Sequence, residues 1–278
     1  MIALDAPLTA GARQAQVLWL RAGIRSESAD WLPEEVPVAL EFNGVSHAVM
    51  LATPMDQEDF ALGFGLSEGI FDRQANLYDC EVDACAEGLT VHLEVSSRSF
   101  ARLRAMRRTL AGRTGCGVCG TESLAQVLRP LPRVVAGQVI HSTAITRAMD
   151  GLRDRQLLGQ ATGATHAAAW CDGTGDIRLV REDVGRHNAL DKLIGALARA
   201  GIDAGSGFMA VTSRASVEMV HKAVVAGVPL LAAVSTPTLL AVNTAKQAGM
   251  CLVGLARQGN LAVYAHPQHL SLSDGTDR

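Results

Sequence analysis

Short apolar runs alternate with longer amphipathic runs in the second half of the chain, and no other feature of the sequence constrains the fold as strongly. The short runs predict strands and the longer runs predict helices. The predicted strands are 164–170, 176–180, 208–212, 229–234, 251–255 and 261–265, and the predicted helices are 188–200, 215–226 and 237–248. Strands and helices that alternate with short links predict a layered α/β domain with a largely parallel sheet and a terminal hairpin.

The first half of the chain predicts a smaller α+β domain. Residues 38–42 and 45–51 flank Asn43-Gly44, a dipeptide that favours a tight hairpin because both central positions need positive φ. The other predicted elements are a helix from Thr53-Pro54 to about Gly69, a strand at 89–95 and a basic helix at about 99–110. We therefore predict an N-terminal extension at 1–32, an α+β domain at 33–130 that ends in a cysteine-containing loop, and an α/β domain at 131–278.

Composition limits the location and the partners of the protein. The chain has 278 residues, 48% of them hydrophobic, which is enough for a sizeable core in two domains. A net charge of −3 with 19% charged residues gives no basic surface for nucleic acid or for an acidic membrane. We find no targeting segment and no apolar run long enough for a bilayer, so we expect a soluble, cytoplasmic protein.

Cys116 and Cys119 lie in the run Gly115-Cys116-Gly117-Val118-Cys119-Gly120. The glycines permit backbone angles that other residues avoid and leave both sulfur atoms accessible. Nearby arginines and the positive end of a predicted following helix both favour the thiolate form. Such a thiolate acts either as a nucleophile toward disulfides and persulfides or as a zinc ligand, so the spacing alone leaves both roles open.

Three alternatives use the same cysteines. A structural zinc knuckle would take Cys80 and Cys85 as a second ligand pair, although these lack flanking glycines. A zinc deaminase would combine His92-Leu93-Glu94 with the later cysteines, but Gly115 stands where its signature has proline and His92 lies in a predicted strand. A thioredoxin-like oxidoreductase would place the cysteines directly after a strand, whereas here they follow a helix.

Polar residues gather where three predicted strands of the second domain end. In α/β sheets such loops share one edge, where ligands generally bind. Asn188, Ser213 and Thr236 can cap the following helices, which would direct backbone N–H groups and arginines into a cleft suited to phosphate. The alternatives are plain helix caps for the Ser, Thr and Asn residues, and a general base or a structural residue for His187. The candidate ligand-binding residues of these loops are Arg186, His187, Ser213, Arg214, Ser216, Ser235 and Thr236.

The predicted basic helix and its flanks carry six arginines. They form either a solvated face or a docking surface for an acidic partner or for phosphates near the cysteines. These residues are Arg98, Arg102, Arg104, Arg107, Arg108 and Arg113.

From about Glu35 to Pro267 the sequence resembles the FdhD family, the formate dehydrogenase accessory sulfurtransferases. The resemblance implies a larger domain with a cytidine-deaminase-like, three-layer α/β fold that lacks the deaminase zinc, no intrinsic metal, and a homodimer. The segments that carry it are Asn43-Gly44, Ala52-Thr53-Pro54, Gly63-Phe64, Ser67-Glu68-Gly69, the Cys116–Cys119 run, residues 182–192, Ser213-Arg214-Ala215-Ser216, Glu218-Met219-Val220, Ser235-Thr236-Pro237 and Val263-Tyr264.

The same resemblance implies a function. A cysteine desulfurase would place a persulfide on Cys116, with Cys119 assisting or dispensable. The sulfur would then pass to the molybdenum bis(molybdopterin guanine dinucleotide) cofactor, the bound substrate, before that cofactor enters formate dehydrogenase. GDP would mimic the bound substrate, and a chaperone that binds the cofactor without carrying sulfur is the alternative. The implied guanine-dinucleotide contacts are Leu255, Ala256, Arg257, Gln258, Gly259 and Asn260.

Overall fold

The structure, a computed structural model, describes residues 11–111 and 131–272 and, at 107–111, the backbone alone. Strands β1 (Ala12–Arg21) and β2 (Ile24–Pro33) form an antiparallel hairpin in the segment expected to be an extension. The side chains on both faces of the hairpin are largely exposed. Neither face is buried, so the sequence need not alternate between apolar and polar residues, and the signal that identifies a half-buried strand is missing.

The first domain contains a sheet in the order β4-β3-β6-β5, in which β3 and β6 are parallel. Its strands are β3 (Val36–Phe42), β4 (Val45–Ala52), β5 (Leu77–Cys85) and β6 (Gly88–Val95). The predicted β3–β4 hairpin is confirmed, and Asn43 and Gly44 both take positive φ, at 46° and 75°. The prediction omits β5, because most of its side chains are exposed and give no alternating apolar pattern.

Helices α1 (Gln57–Ser67) and α2 (Ser97–Ala111) pack against this sheet. Both were predicted, but α1 begins later than Thr53-Pro54 suggests. Asp56 takes a left-handed conformation with φ 55°, so the helical backbone starts only after it. Phe60 of α1 is fully buried in the core of this domain.

The second domain alternates strands and helices as predicted, with α3, α4, β7 and β14 in addition. Its helices are α3 (Ser142–Leu152), α4 (Leu157–Thr162), α5 (Arg186–Arg199), α6 (Val217–Val225) and α7 (Leu239–Ala248). Its strands are β7 (Ile140–His141), β8 (His166–Cys171), β9 (Ile177–Asp183), β10 (Phe208–Val211), β11 (Leu230–Ala233), β12 (Cys251–Arg257), β13 (Asn260–Ala265) and β14 (Leu270–Ser271). None of the described helices combines the length and the apolar character that crossing a bilayer requires.

Six of these strands form one mixed sheet in the order β13-β12-β11-β10-β8-β9. Strands β10, β11 and β12 are parallel, whereas β8, β9 and β13 run antiparallel to their neighbours. The prediction of a largely parallel sheet is therefore wrong. A short turn around Asp172-Gly173 joins β8 to β9, and a hairpin of this kind makes its two strands antiparallel.

Helices cover both faces of the six-stranded sheet, which gives three layers. On one face α5, α6 and α7 pack against strand residues such as Met209 and Leu231. On the other face α3 packs against Phe208 and Leu230. Successive residues of each central strand thus enter different cores, as expected for a strand covered on both sides. The α/β fold class is confirmed.

The two domains meet where α1 crosses α5. Gly63 of α1 lies against the backbone carbonyl of Asp191, and Gly195 of α5 lies against the backbone carbonyl of Asp59. A methyl group at either glycine would overlap main-chain atoms of the other helix. The close crossing therefore depends on residues without a side chain at these two positions.

Candidate functional site

The carboxyl ends of four strands lie at one edge of the six-stranded sheet. Both β9 and β10 are antiparallel to β8, so β9 runs in the same direction as the parallel strands β10, β11 and β12. The loops expected to share an edge therefore do so, even though the sheet is mixed. Arg186, His187, Ser213, Arg214, Ser216, Ser235 and Thr236 all follow these strand ends.

Backbone hydrogen bonds join neighbouring loops at this edge. Thr238 N donates to Ala215 O at 3.2 Å, which links the loop after β11 to the loop after β10. Leu255 N donates to Ser235 O at 3.3 Å, which links the end of β12 to the loop after β11. These bonds join the segments that follow β10, β11 and the end of β12. Together with the loop after β9 they are called the site edge below.

The first turn of α5 supplies Arg186 and His187 to the site edge. His187 Nε2 lies 3.7 Å from Glu218 Oε2, and Ser216 Oγ donates a 2.7 Å hydrogen bond to the same carboxylate oxygen. Burial, followed by the charge of Arg186, lowers the pKa of His187 from 6.5 to about 4. The imidazole is therefore neutral at neutral pH and can donate or accept a hydrogen bond without adding charge.

His166 is a residue of the site edge that sequence reasoning missed. It is the first residue of β8, and it lies opposite Asp183 in the β8–β9 pairing. Burial and the charge of Arg186 lower its pKa as well. The predicted parallel sheet places the start of this strand at the opposite edge, although the short turn at Asp172-Gly173 is a sequence signal for an antiparallel β8.

The predicted helix caps at the site edge, Asn188, Ser213 and Thr236, are wrong. The observed N-cap residues of α5, α6 and α7 are Gly185, Ser216 and Thr238. Each helix starts about two residues from its predicted position, and this shift moves the cap. Among the three predicted residues, Asn188 turns into the protein, Ser213 is buried and Thr236 is exposed.

The segment 255–260, expected to contact a guanine dinucleotide, spans the turn between β12 and β13. The pairing register shifts at the end of β12, and Leu255 takes a positive φ of 53°, which is uncommon for a residue with a side chain. Ala256 is 2% exposed and its methyl group lies in the core, which leaves its backbone as the available part. Residues 257–260 are exposed.

A fully buried ion pair lies behind the site edge. The side chains of Asp183 and Lys192 have no exposed surface, and Oδ2 and Nζ are 2.7 Å apart. Oδ1 of Asp183 accepts hydrogen bonds from Gly185 N at 2.7 Å and from Asn188 Nδ2 at 3.0 Å. The carboxylate therefore fixes the main chain on the approach to Arg186.

The first domain contributes to this network through Thr53. Thr53 N donates to Asp183 Oδ2 at 2.9 Å, and Thr53 O accepts from Lys192 Nζ at 3.0 Å. Val184 N donates to the hydroxyl oxygen of Thr53 at 3.1 Å. One residue at the end of β4 is thus bonded to the pair and to the loop that follows β9.

A second buried lysine also joins the domains. Lys222 Nζ donates to Ser67 Oγ at 2.9 Å, to Glu68 Oε1 at 2.8 Å and to Asp191 Oδ2 at 3.0 Å. Burial raises the pKa of Asp191 to about 6, although Lys222 and Ser67 act in the opposite direction. Burial disfavours the charged form of Lys222, but the carboxylates of Asp191 and Glu68 outweigh it and raise its pKa.

The candidate catalytic residues Cys116 and Cys119 lie outside the described residues. The cysteines within them are Cys80, Cys85, Cys171 and Cys251. Burial raises the pKa of Cys80 to about 11 and the pKa values of Cys171 and Cys251 to about 12. These three are therefore protonated thiols at neutral pH and poor nucleophiles.

The zinc alternatives receive no support from the described residues. His92 lies in β6, 3.3 Å from Glu41 Oε1 and 3.4 Å from Asp83 Oδ2, rather than at the start of a helix as a zinc deaminase requires. Cys80 and Cys85 are five positions apart on β5 and so face opposite sides of the strand. In the described part of the chain, no group of three or more His, Cys, Asp or Glu side chains is arranged to hold a metal ion.

Of the six arginines expected on and near the basic helix, three have described side chains. Arg102 is paired with Asp72, with Nη1 and Oδ1 2.7 Å apart, and also donates to Gly69 O at 3.0 Å. Arg98 and Arg104 are exposed. Arg102 is thus a structural residue, and Arg107, Arg108 and Arg113 lie outside the described side chains.

Sequence comparisons identify close relatives. The chain is 55% identical over 271 residues to the sulfur carrier protein FdhD of Variovorax paradoxus, with 96% of both chains covered. It is 58% identical over 250 residues to the sulfur carrier protein FdhD of Cupriavidus necator, which covers 90% of this chain and 87% of that one.

A solved structure shares the fold. The crystal structure of a proposed formate dehydrogenase accessory protein from Desulfotalea psychrophila matches with a TM-score of 0.75 and 21% identity, over 94% of this chain and 100% of that one. Residues 33–271 match the FdhD/NarQ family, so the match includes the four-stranded sheet, the six-stranded sheet and the whole site edge. The chain belongs to the FdhD/NarQ family.

Proposed function

We propose that this protein is a sulfurtransferase that carries sulfur as a persulfide. It accepts sulfur from a cysteine desulfurase on Cys116 and delivers it to the molybdenum bis(molybdopterin guanine dinucleotide) cofactor, which then enters formate dehydrogenase. The name of its relatives, sulfur carrier protein, supports the carriage of sulfur. Transfer takes place in the cytoplasm, and the working form is a homodimer.

One observation carries the cofactor part of the proposal, namely the convergence of four loops at the site edge. Arg186 is the first residue of α5, Arg214 lies in the loop after β10, and Arg214 is exposed. Guanidinium groups match phosphate oxygens in charge and geometry. Neutral His187 adds a hydrogen-bonding group beside them. A dinucleotide bearing a diphosphate is the substrate class that suits this combination.

The sulfur transfer has two steps. In the first, the thiolate of Cys116 attacks the outer sulfur of the desulfurase persulfide, the donor S–S bond breaks, and the donor cysteine leaves as a thiolate. In the second, the acceptor site of the cofactor substrate donates an electron pair to the outer sulfur, and Cys116 leaves as a thiolate. Cys119 either assists this release or is dispensable.

Intact-mass spectrometry after incubation with a cysteine desulfurase and cysteine tests the carrier role. Wild type should gain the mass of one sulfur atom, and Cys116→Ala should gain none. Cys85→Ala, which removes an exposed cysteine of β5, is the matched control and should load like wild type. A Cys116→Ala protein that still gains sulfur would overturn the assignment. Wild type that binds GDP but never gains sulfur would instead indicate a cofactor chaperone.

A further inference from the structure

Thr53 uses all its polar groups at the boundary between the two domains. It is fully buried at the junction of β4 and the turn before α1. Its backbone N–H and hydroxyl bond to Asp183 and Val184, while its carbonyl accepts from Lys192 and Gln57, the latter at 2.7 Å. The segment that leaves β9 is thus attached to the first domain before it reaches the site edge.

The distance along the chain from this attachment to the candidate phosphate ligands is short. Val184 and Asp183 precede Arg186 by two and three residues. Gly185 lies between Val184 and Arg186, so the backbone there has conformational freedom. The bonds from Thr53 to Asp183 and Val184 restrict that freedom. The N–H of Val184 is partly buried, so loss of its acceptor is unfavourable. A loop that contains a glycine can relieve this by moving so that the N–H finds another partner.

We infer that Thr53 is a positioning residue of the site edge, which sets the place of Arg186 and His187 through its bonds to Val184 and Asp183. This inference rests on the proposed function, because the phosphate role of the site edge is part of that function. Thr53 itself does not touch the substrate.

Attachment of the loop to the first domain and diphosphate binding at the site edge are linked. If attachment to the first domain raises the affinity of the site edge for a diphosphate, then diphosphate binding must strengthen the attachment by the same factor.

Two substitutions of Thr53 separate its hydroxyl from its shape. Thr53→Val keeps the branched shape and removes the acceptor of the Val184 N–H, whereas Thr53→Ser keeps the acceptor and removes a methyl group. GDP titration by calorimetry, well below the unfolding temperature, should show binding about tenfold weaker for Thr53→Val, as expected for one lost hydrogen bond. The affinity of Thr53→Ser for GDP should stay within roughly threefold of the wild-type affinity, since the hydrogen bond to Val184 is retained.

A third variant controls for lost stability. Val91→Ala opens a cavity in the core of the first domain, where Val91 is fully buried, without touching the site edge. It should bind GDP like wild type despite a lower unfolding temperature. If it weakens GDP binding as much as Thr53→Val does, or if Thr53→Val binds like wild type, Thr53 is not a positioning residue.

Amide hydrogen exchange without ligand tests the attachment independently of the proposed function. The amide of Val184 and the segment 184–187 should exchange faster in Thr53→Val than in wild type or Thr53→Ser. Equal exchange in all three proteins would overturn the inference. If exchange behaves as expected but wild type does not bind GDP, the proposed function fails, and the positioning role for a phosphate site fails with it. If wild type binds GDP and exchange is unchanged, the inference alone fails.

Discussion

The chain has three lysines among its 25 basic residues, and two of them are buried at the boundary between the domains in different ways. Lys192 has no exposed surface and bonds to a carboxylate and to the main chain of Thr53. Lys222 bonds to the side chains of Ser67, Glu68 and Asp191, and Glu68 is 37% exposed. The first lysine therefore belongs to a sealed network and the second to a network that reaches solvent.

This difference indicates different roles for the two networks. The partner of Lys192, Asp183, holds the loop that leads into the site edge, so the sealed network is bonded to the main chain of the candidate site. The partner of Lys222, Asp191, has a raised pKa and lies in a network that contributes to the environment of His187. We therefore expect the first network to resist change and the second to respond to pH.

The largest expected difference comes from removing each lysine. Lys192→Met leaves the Asp183 carboxylate buried without a counter-charge and should lower the free energy of unfolding by about 3–5 kcal/mol. Lys222→Met should lower the free energy of unfolding by roughly half as much, because Asp191 can take up a proton and become neutral when its counter-charge is lost. Lys246→Met, at an exposed position of α7, should change the free energy of unfolding by less than about 0.5 kcal/mol. Urea unfolding measures all three, and equal losses for Lys192→Met and Lys222→Met would remove the distinction between the networks.

Both networks depend on the crossing of α1 and α5. Gly63→Ala should lower the free energy of unfolding by about 3 kcal/mol, since the added methyl group meets the carbonyl of Asp191. Gly151→Ala is the matched control, because its added methyl group would lie 3.7 Å from Ile177 Cδ1, an ordinary contact, within helix α3. That control should be neutral or stabilising by up to about 1 kcal/mol. Equal losses for both variants would show that the crossing is not tightly packed.

Asp191 and His187 should make smaller contributions to the free energy of unfolding, with opposite dependences on pH. The pKa of Asp191 is higher in the folded protein, about 6 against 3.8, so its stabilising contribution is present below pH 3.8 and is lost as the pH rises to about 6. The pKa of His187 is lower, about 4 against 6.5, so its contribution is present above pH 6.5 and is lost as the pH falls to about 4. Because side chains near the surface are partly screened, we expect an effect on the order of 1 kcal/mol for His187.

Two variants reveal these opposite slopes. Compared with wild type, Asp191→Asn should make stability rise more steeply with pH between 4 and 6.5, and His187→Gln should make it rise less or fall. Urea unfolding at several pH values in this window measures both slopes. Slopes that change in the same direction would contradict the assignment of pKa shifts to these residues.

The sequence predicts what depends on local order and misses what depends on distant pairing. The order of strands and helices was sufficient to place Arg186 and Arg214 at the ends of strands. The bond between Thr53 and Asp183 joins residues 130 positions apart, and no local pattern reveals it. His166 was missed for a related reason, since its edge depends on the direction of β8.

Helix starts were the other weakness. A two-residue shift changes which Ser or Thr caps a helix. The sequence predicts Ser213 and Thr236 as N-cap residues, whereas Ser216 and Thr238 occupy these positions. The same shift places Asn188 inside the first turn of α5. Its amide is used by Leu51 O, at 2.8 Å, and by Asp183, partners that become visible only when the domains are packed together.

GDP titration of wild type, Arg214→Ala and Arg147→Ala tests the central claim, that the site edge binds the diphosphate of a guanine nucleotide. Arg147 belongs to α3 on the other face of the sheet, where it pairs with Asp176, and it controls for the loss of one positive charge. Wild type and Arg147→Ala should bind GDP alike, and Arg214→Ala should bind it at least about tenfold more weakly, as expected for a lost charge-assisted hydrogen bond. Equal affinity of all three proteins, or no binding by wild type, would contradict this claim.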